Sequence, residues 1–332
     1  MRVLVRYPMR AGALVLRTDA DWSQDLLPVA TTADSATFEV PFVGPTLAVK
    51  PCLIVDGHLS WSQGLDYVLS ATEPDPQLYP YFHGPPKGRV SDVLHVQAGS
   101  GVHAIRIYHP PGYDENTLRR FPVVYMHDGQ NLFFPEEAFA GNEWQVDETM
   151  DRLDEMNAIR KSIVVGVSPA DRMHEYTLPG YHAYGDFLAD KLKPLMDATL
   201  RTRPGPESTV VMGSSLGGVA ALHVAWERPG SFGKVACLSG TLGFQDDLYA
   251  RIATEPRRDL HIYLDSGWPR DNYDATNAMR DLLVSRGWKL GVDLLHFSFP
   301  DALHDERSWA VRAHLPFQFF LGRAWAASRG EG

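Results

Sequence analysis

Residues 207–228 read ESTVVMGSSLGGVAALHVAWER. STVVMG is a short apolar run rich in β-branched residues, and GGVAALHVAWER has the small-residue spacing of a buried helix. Between them Gly213, Ser214, Ser215, Leu216 and Gly217 form a G-x-S-x-G turn, the arrangement that lifts a serine hydroxyl clear of a strand end. A Cβ at position 213 or 217 would collide with backbone folded close around the turn. The motif alone is common by chance, so the strand before it and the helix after it carry the argument. Ser215 is the candidate nucleophile and Ser214 the weaker alternative.

Working outward, the same grammar continues from residue 90 to the end. GVHAIRIYHP, FPVVYMHD, SIVVGV, STVVMG, KVACLSG, LHIYLDSG and VDLLHFSFP read as strands. NEWQVDETMDRLDEM, YGDFLADKLKPLMDAT, NAMRDLLVSRG and the terminal DERSWAVRAHLPFQFFLGR read as the helices between and after them. Strands alternating with helices give an α/β fold, here a doubly wound, mostly parallel sheet of the α/β-hydrolase type. Residues 1–75 differ: RVLVRY, ALVLRT, ATFEVPF, TLAVKPCLIV and LDYVLS are short strands, with RTDADWSQD, TTADS and DGHLSWSQG as turn-rich clusters between them. A small all-β sandwich of immunoglobulin-like type is expected there, with 76–89, rich in proline and glycine, as linker and 90–332 as the α/β domain.

The 41 acidic side chains against 31 Lys and Arg give a net charge of −10 and no basic run to neutralise a phosphate backbone, so nucleic acid is excluded as an expected partner. Apolar stretches such as SIVVGV are too short to span a bilayer, and Pro8 and Arg10 interrupt the N-terminal run where a signal sequence needs continuity. The expectation is a soluble, cytoplasmic protein without membrane association. Cys52 and Cys237 are the only cysteines and read as packed thiols.

A serine hydroxyl needs a base, and in this fold class the acid and the histidine follow the serine in the chain. His304, just past FSFP and just before the last helix, is the expected base; His296 within the strand pattern and His314 within the helix read as packing or surface residues. The acid belongs after LHIYLDSG, where Asp271 is favoured, Asp265 is the alternative, and Asp274 is also available. The oxyanion hole is assigned to the backbone N–H groups of Leu216 and of Gln130, the latter in MHDGQNLF with Gly129 allowing the turn. His127 reads as a bracing residue. The thirteen histidines are scattered without HExxH spacing, and no GxGxxG or Walker lysine motif occurs, so neither a metal nor another cofactor is expected.

Together MHDGQNLF, NEWQVDETMDRL, DRMHEY, GSSLGG, DSGWPRDNYDATNAMRDLL and LHDERSW resemble the family of α/β-hydrolases that includes esterase D, enterochelin esterases, feruloyl and acetyl-xylan esterases and mycolyltransferases. The resemblance spans about residues 90–325 and implies metal-independent acyl transfer to water. It implies Ser215 as nucleophile, His304 as base with Trp309 packing behind it, Gln130 at the oxyanion loop, and an Arg172 and Glu175 pair near the pocket; Trp144, closing the loop 133–144, joins Arg172 and Glu175 as an expected substrate-binding residue. The family acid follows a glycine by three residues, whereas Asp271 follows Gly267 by four. The first seventy residues resemble, more loosely, the glycan-binding type of module that precedes enterochelin esterase-like domains, with Trp22, Trp61 and Tyr67 as aromatic candidates for a sugar face.

The resulting expectation is a serine carboxylic-ester hydrolase acting on a small-molecule or carbohydrate-linked ester. Two alternatives are a carbohydrate-binding protein with an idle hydrolase domain and an acyltransferase to a sugar or alcohol acceptor. The physiological ester and the oligomeric state are not readable from the chain, because specificity lies in loop walls.

Overall fold

The computed structural model describes residues 1–72, 75–99 and 101–322. The expected extension of the α/β domain to residue 332, and Arg323 at the end of its last helix, lie outside the described residues. The chain separates into two compact units, Met1–Gly88 with Pro110–Arg120, and Arg89–His109 with the chain from Phe121 onward.

The first unit is all β. One sheet holds Ala30–Thr32, Ser35–Glu39, Arg2–Arg6 and Gln77–Leu78 in that order, and the other holds Asp21–Leu26, Ala13–Thr18, Thr46–Val55 and His58–Trp61, with Tyr67–Ser70 also paired to Thr46–Val55. Alternating inward residues such as Val3, Val5, Leu14, Leu16, Phe38, Val49 and Leu53 form its core. Asp21–Leu26 and His58–Trp61 are strands within clusters that read as turns from the sequence. Asp56 and Gly57 both take positive φ (49° and 78°), the two-residue hairpin turn that pairs Val55 with His58 and places a strand directly after it. Trp22 and Trp61 meet edge to face at 63°, with the Arg17 guanidinium 5.1 Å from the Trp61 ring centre, so the rings do not form one flat platform. Pro110–Arg120 belongs to this unit because Glu115 accepts the N–H groups of Phe82, His83 and Gly84 at 2.6–2.8 Å and the Tyr7 hydroxyl at 2.9 Å. No composition or periodicity signal announces that return of the chain.

The second unit is built on a nine-stranded sheet in the order Arg89–Val90, Gly101–His109, Ile163–Val167, Val123–His127, Thr209–Ser214, Lys234–Leu238, His261–Trp268 and Leu294–Pro300, with Leu94–Ala98 as a hairpin on Gly101–His109. The six strands from Ile163–Val167 to Leu294–Pro300 are parallel; Gly101–His109 runs antiparallel to Ile163–Val167. This is the doubly wound, mostly parallel sheet expected of an α/β-hydrolase, and ligand sites in such sheets lie at the carboxyl ends of the strands. Val123–His127, Ile163–Val167 and Thr209–Ser214 are buried throughout, which explains why they read as unbroken apolar runs.

The helix Ser215–Glu227 is buried from Leu216 to Trp226. It has no polar stripe because it is covered on all sides, and its alanines and glycines allow close approach to the sheet. The terminal helical segment is two helices, Glu306–Arg312 and His314–Leu321, with Ala313 between them, where a single helix was expected. Pro316 lies in the first turn of the second helix, where its missing N–H costs no intrahelical bond. Among the described residues no helix is long and apolar enough to cross a membrane.

Candidate active site

Strand Thr209–Ser214 passes into helix Ser215–Glu227 without an intervening loop, and Ser215 takes the strain of the reversal with φ +54°, in the left-handed region. A Cβ on Gly213 would lie 2.6 Å from the Gly217 carbonyl oxygen, and one on Gly217 would lie 3.1 Å from Asp128 Oδ2. The turn therefore requires a bare Cα at Gly213, where the overlap is with backbone, and is tight at Gly217, where the Asp128 and His127 side chains would have to give way. Gly213→Ala is expected to cost about 1–3 kcal/mol of stability through this overlap. Urea unfolding reads it, and an unchanged midpoint would remove the steric account of the turn.

The loop after Leu294–Pro300 delivers His304, and the loop after His261–Trp268 delivers Asp271. His304 Nε2 lies 2.8 Å from Ser215 Oγ and His304 Nδ1 lies 2.6 Å from Asp271 Oδ1. The structure thus brings together Ser215 at a strand–helix junction with His304 and Asp271 from two later loops, across as many as 89 residues of chain. Trp309 stands edge-on to the His304 ring at 5.0 Å, and Asp305 caps the helix that follows by accepting the Ser308 N–H at 2.8 Å.

Asp271 is fully buried, and its second oxygen, Oδ2, accepts the Ser239 hydroxyl at 2.5 Å and the Gly267 N–H at 2.7 Å, with Arg312 Nη2 at 3.2 Å. The four-residue step from Gly267 is closed by that backbone bond, so the spacing that departs from the family pattern still turns the carboxylate toward His304. Burial pushes the Asp271 carboxyl up, but the hydrogen bonds from His304, Ser239 and Gly267 and the Arg312 charge outweigh it, and the net shift is downward. Asp271 stays ionised. Asp265 lies deeper: it accepts the Tyr263 hydroxyl at 2.9 Å, faces Arg312 at 3.2 Å and makes no hydrogen bond to His304. Burial raises its pKa to about 6.

Arg312 and Ser239 carry no signal in a single sequence, yet both are buried under Asp271. Ser239 Oγ accepts the Trp309 indole N–H at 3.0 Å and an Arg312 N–H while donating to Asp271. Arg312 also lies 5.3 Å from the Phe299 ring centre. Thr241 is a further neighbour, its hydroxyl 3.5 Å from Ser215 Oγ.

Leu216 and Gln130 both stand second in a helix, in Ser215–Glu227 and in the one-turn helix Gly129–Asn131. N–H groups at that position have no intrahelical acceptor. The turn at Gln130 arises differently from the expectation: Asp128 carries the positive φ of 53°, while Gly129 is needed because a Cβ there would lie 2.6 Å from the backbone of Gly166 and Val167. The Asp128 N–H donates to Tyr176 Oη at 3.1 Å, and the buried His127 donates from Nδ1 to the Gly217 carbonyl at 2.8 Å. Burial lowers the His127 pKa to about 4, so the ring is neutral and ties the Gln130 loop to the first turn of the Ser215 helix.

The expected pairing of Arg172 with Glu175 is corrected, and two of the expected substrate-binding residues, Glu175 and Trp144, are buried. Arg172 does not pair with Glu175; its Nε and Nη2 clasp Asp128 Oδ1 and Oδ2 at 2.8 and 3.0 Å, a two-pronged bond on the Gln130 loop. Glu175, 1 % exposed, turns inward to His103 Nε2 at 2.9 Å and the Ala170 N–H at 3.1 Å, and cannot meet a substrate. Trp144, 3 % exposed, packs against Trp309 with ring centres 5.9 Å apart and is core. The R-x-x-E spacing is one helical turn, but in Arg172–Glu175 the two side chains have better partners on other elements.

The family described as "Putative esterase" matches residues 101–310. The chain belongs to this esterase family. Ester hydrolysis is the chemistry the family is named for, and the matched segment holds the G-x-S-x-G turn and His304 in order. The chain is 26 % identical over 162 residues to the uncharacterized protein YbbA of Bacillus subtilis, covering 44 % of this chain and 60 % of that protein's length. In structure it is similar to a ferulic acid esterase (TM-score 0.59, 16 % identity, 71 % of this chain and 98 % of that one). It is also similar to the enterobactin esterase of Shigella flexneri solved with enterobactin (TM-score 0.57, 16 % identity, 96 % of this chain and 92 % of that one). At such identities these two likenesses establish the fold.

Proposed function

We propose that the protein is a serine carboxylic-ester hydrolase whose nucleophile is Ser215, whose general base and acid is His304, and whose orienting carboxylate is Asp271. The observation that carries this reading is the continuous relay from Ser215 Oγ to His304 Nε2 at 2.8 Å and from His304 Nδ1 to Asp271 Oδ1 at 2.6 Å. His304 takes the Ser215 proton as Oγ attacks the ester carbonyl, then gives it to the departing alcohol; water repeats the sequence on the acyl-enzyme. Asp271 holds Nδ1 protonated, which leaves the Nε2 lone pair facing Ser215. The Leu216 and Gln130 N–H groups stabilise the oxyanion. Arg172 serves as a positioning residue through its clasp on Asp128.

The favoured substrate is a small-molecule ester with an apolar portion, as ferulate and enterobactin esters have aromatic parts. Trp268, Phe244 and Leu303 support this, being 47, 46 and 57 % exposed on segments that leave the carboxyl ends of the strands. The cytoplasmic location goes with this reading, since both cysteines are free and buried.

Hydrolysis of p-nitrophenyl acetate and butyrate with a chelator present tests the proposal. Wild type is expected to turn over, and Asp271→Asn to lower kcat about 10⁴-fold, because an asparagine at this position stabilises the wrong imidazole tautomer. Full activity in Asp271→Asn would shift the acid role to another carboxylate.

A further inference from the structure

Away from Ser215, at the far end of its helix, His223 is wholly buried (0 % exposed) and neither ring nitrogen has a hydrogen-bond partner among the described residues. A buried imidazole in that state forgoes two hydrogen bonds, an expensive arrangement unless something else uses a nitrogen lone pair. His223 Nε2 points toward Glu227 Oε1 at 3.7 Å, one helical turn on. His182, on the helix Tyr181–Asp186, brings its Nδ1 to 3.8 Å from the same oxygen. The two imidazole rings face each other nearly at right angles (78°) with centres 4.8 Å apart.

We infer that His182, His223 and Glu227 form a binding site for a divalent transition-metal ion, zinc by preference, which clips the helix Tyr181–Asp186 to the helix Ser215–Glu227. One donor atom from each residue lies within 4.8 Å of the others. Zinc with bonds of about 2.0–2.1 Å sets tetrahedral donors about 3.3 Å apart, so the triangle closes with small rotations of the two partly exposed side chains. Two neutral nitrogens and one carboxylate suit zinc better than magnesium or calcium, which take oxygen ligands. His182 and Glu227 are 49 and 26 % exposed, which gives the ion an entry path and leaves a fourth position to solvent.

The surroundings fit a lone-pair role for His223. Its Nε2 faces Glu227 Oε1 and its ring faces that of His182, with no hydrogen bond to either ring nitrogen among the described residues. Arg251 donates to Glu227 Oε1, the oxygen both imidazoles face, and Arg228 stands 3.8 Å from Oε2; these cations oppose a metal ion, which must displace the Arg251 bond to take Oε1. Each has another carboxylate to hold it: Arg251 keeps Glu255 at 2.6 Å, and Arg228 keeps Asp186. Glu227 can therefore turn to the ion without leaving a guanidinium unpaired.

The experiment uses the full chain stripped with chelator, titrated with zinc chloride by calorimetry and with cobalt(II) by visible absorption. One zinc per chain is expected, with an apparent Tm rise of about 5 °C at a hundredfold excess over Kd. His182→Ala, on the exposed side and harmless to the core, and His223→Gln are each expected to weaken binding at least about tenfold and abolish the cobalt bands. Circular dichroism verifies that both variants fold. Absence of a stoichiometric zinc up to millimolar concentration, or binding unchanged in His182→Ala, would overturn the site. The readout is independent of ester hydrolysis, so it stands or falls separately from the role of Ser215.

Discussion

Ser215→Ala is expected to lower kcat by about four to six orders of magnitude while leaving the fold intact. In the proposed mechanism the hydroxyl is the nucleophile, and among the described residues its hydrogen-bond partners are His304 and Thr241, so its removal leaves no buried polar group in a new unsatisfied state. The backbone at +54° is as costly for alanine as for serine, which predicts a melting temperature within about 2 °C of wild type. A fluorophosphonate label should enter wild type at residue 215 and fail to enter the variant. Turnover near the wild-type level in Ser215→Ala would sink the proposed mechanism, whatever the fold. The separation of effects is informative because catalysis depends on one oxygen atom, whereas stability depends on glycines 213 and 217 around it.

The largest stability effect is expected at Arg312. This guanidinium is 2 % exposed and stands 3.2 Å from both Asp265 and Asp271, two carboxylates that are fully buried. Arg312→Met keeps much of the volume but removes the sole cation of that cluster among the described residues, and breaking a buried ion pair from one side costs about 3–5 kcal/mol. The sign of the pH dependence follows. Asp265 already has a native pKa of about 6, raised by burial, against about 3.9 in the unfolded chain. Between those values the native state holds a proton the unfolded state has released, so this carboxyl's contribution to stability falls as pH rises. Without Arg312 the Asp265 pKa climbs further and Asp271 loses part of what holds it down, so the deficit of the variant should widen from pH 5.5 to pH 8. Urea unfolding at the two pH values measures it, and adding Asp265→Asn to Arg312→Met should recover part of the loss. A variant as stable as wild type at both pH values would mean that the cluster is not electrostatically coupled.

The strand–turn–helix that carries the proposed nucleophile was legible for a local reason. A serine turn needs glycines at fixed spacing, and the strand and helix beside it must be apolar because both are buried, so chemistry and burial write the same stretch, 209–227. His304 was legible by order along the chain, since from Thr209–Ser214 onward each parallel strand is added beside the one before and the loops that follow them lie at the same end of the sheet. Asp271 was legible only as one of several carboxylates. Its choice over Asp265 depends on which side of the strand end each occupies, and the bond from the Gly267 N–H that decides this is a product of the folded loop.

What the sequence determined by itself was the α/β layering, the strand–turn–helix at Ser215 and the order in which Ser215, Asp271 and His304 of the proposed site follow one another, because each depends on residues close in sequence or on periodic burial. What only the tertiary structure decided was partnership across the chain. Arg172 reaches Asp128 and leaves Glu175 to His103, Trp144 is core, Arg312 and Ser239 underlie the acid, and Pro110–Arg120 returns to the first unit through Glu115. His182 meets His223 in the same way, from a helix forty-one positions earlier in the chain. Such pairings are selected by geometry and by the cost of leaving buried polar groups unmet, and neither quantity exists until the strands and helices have packed.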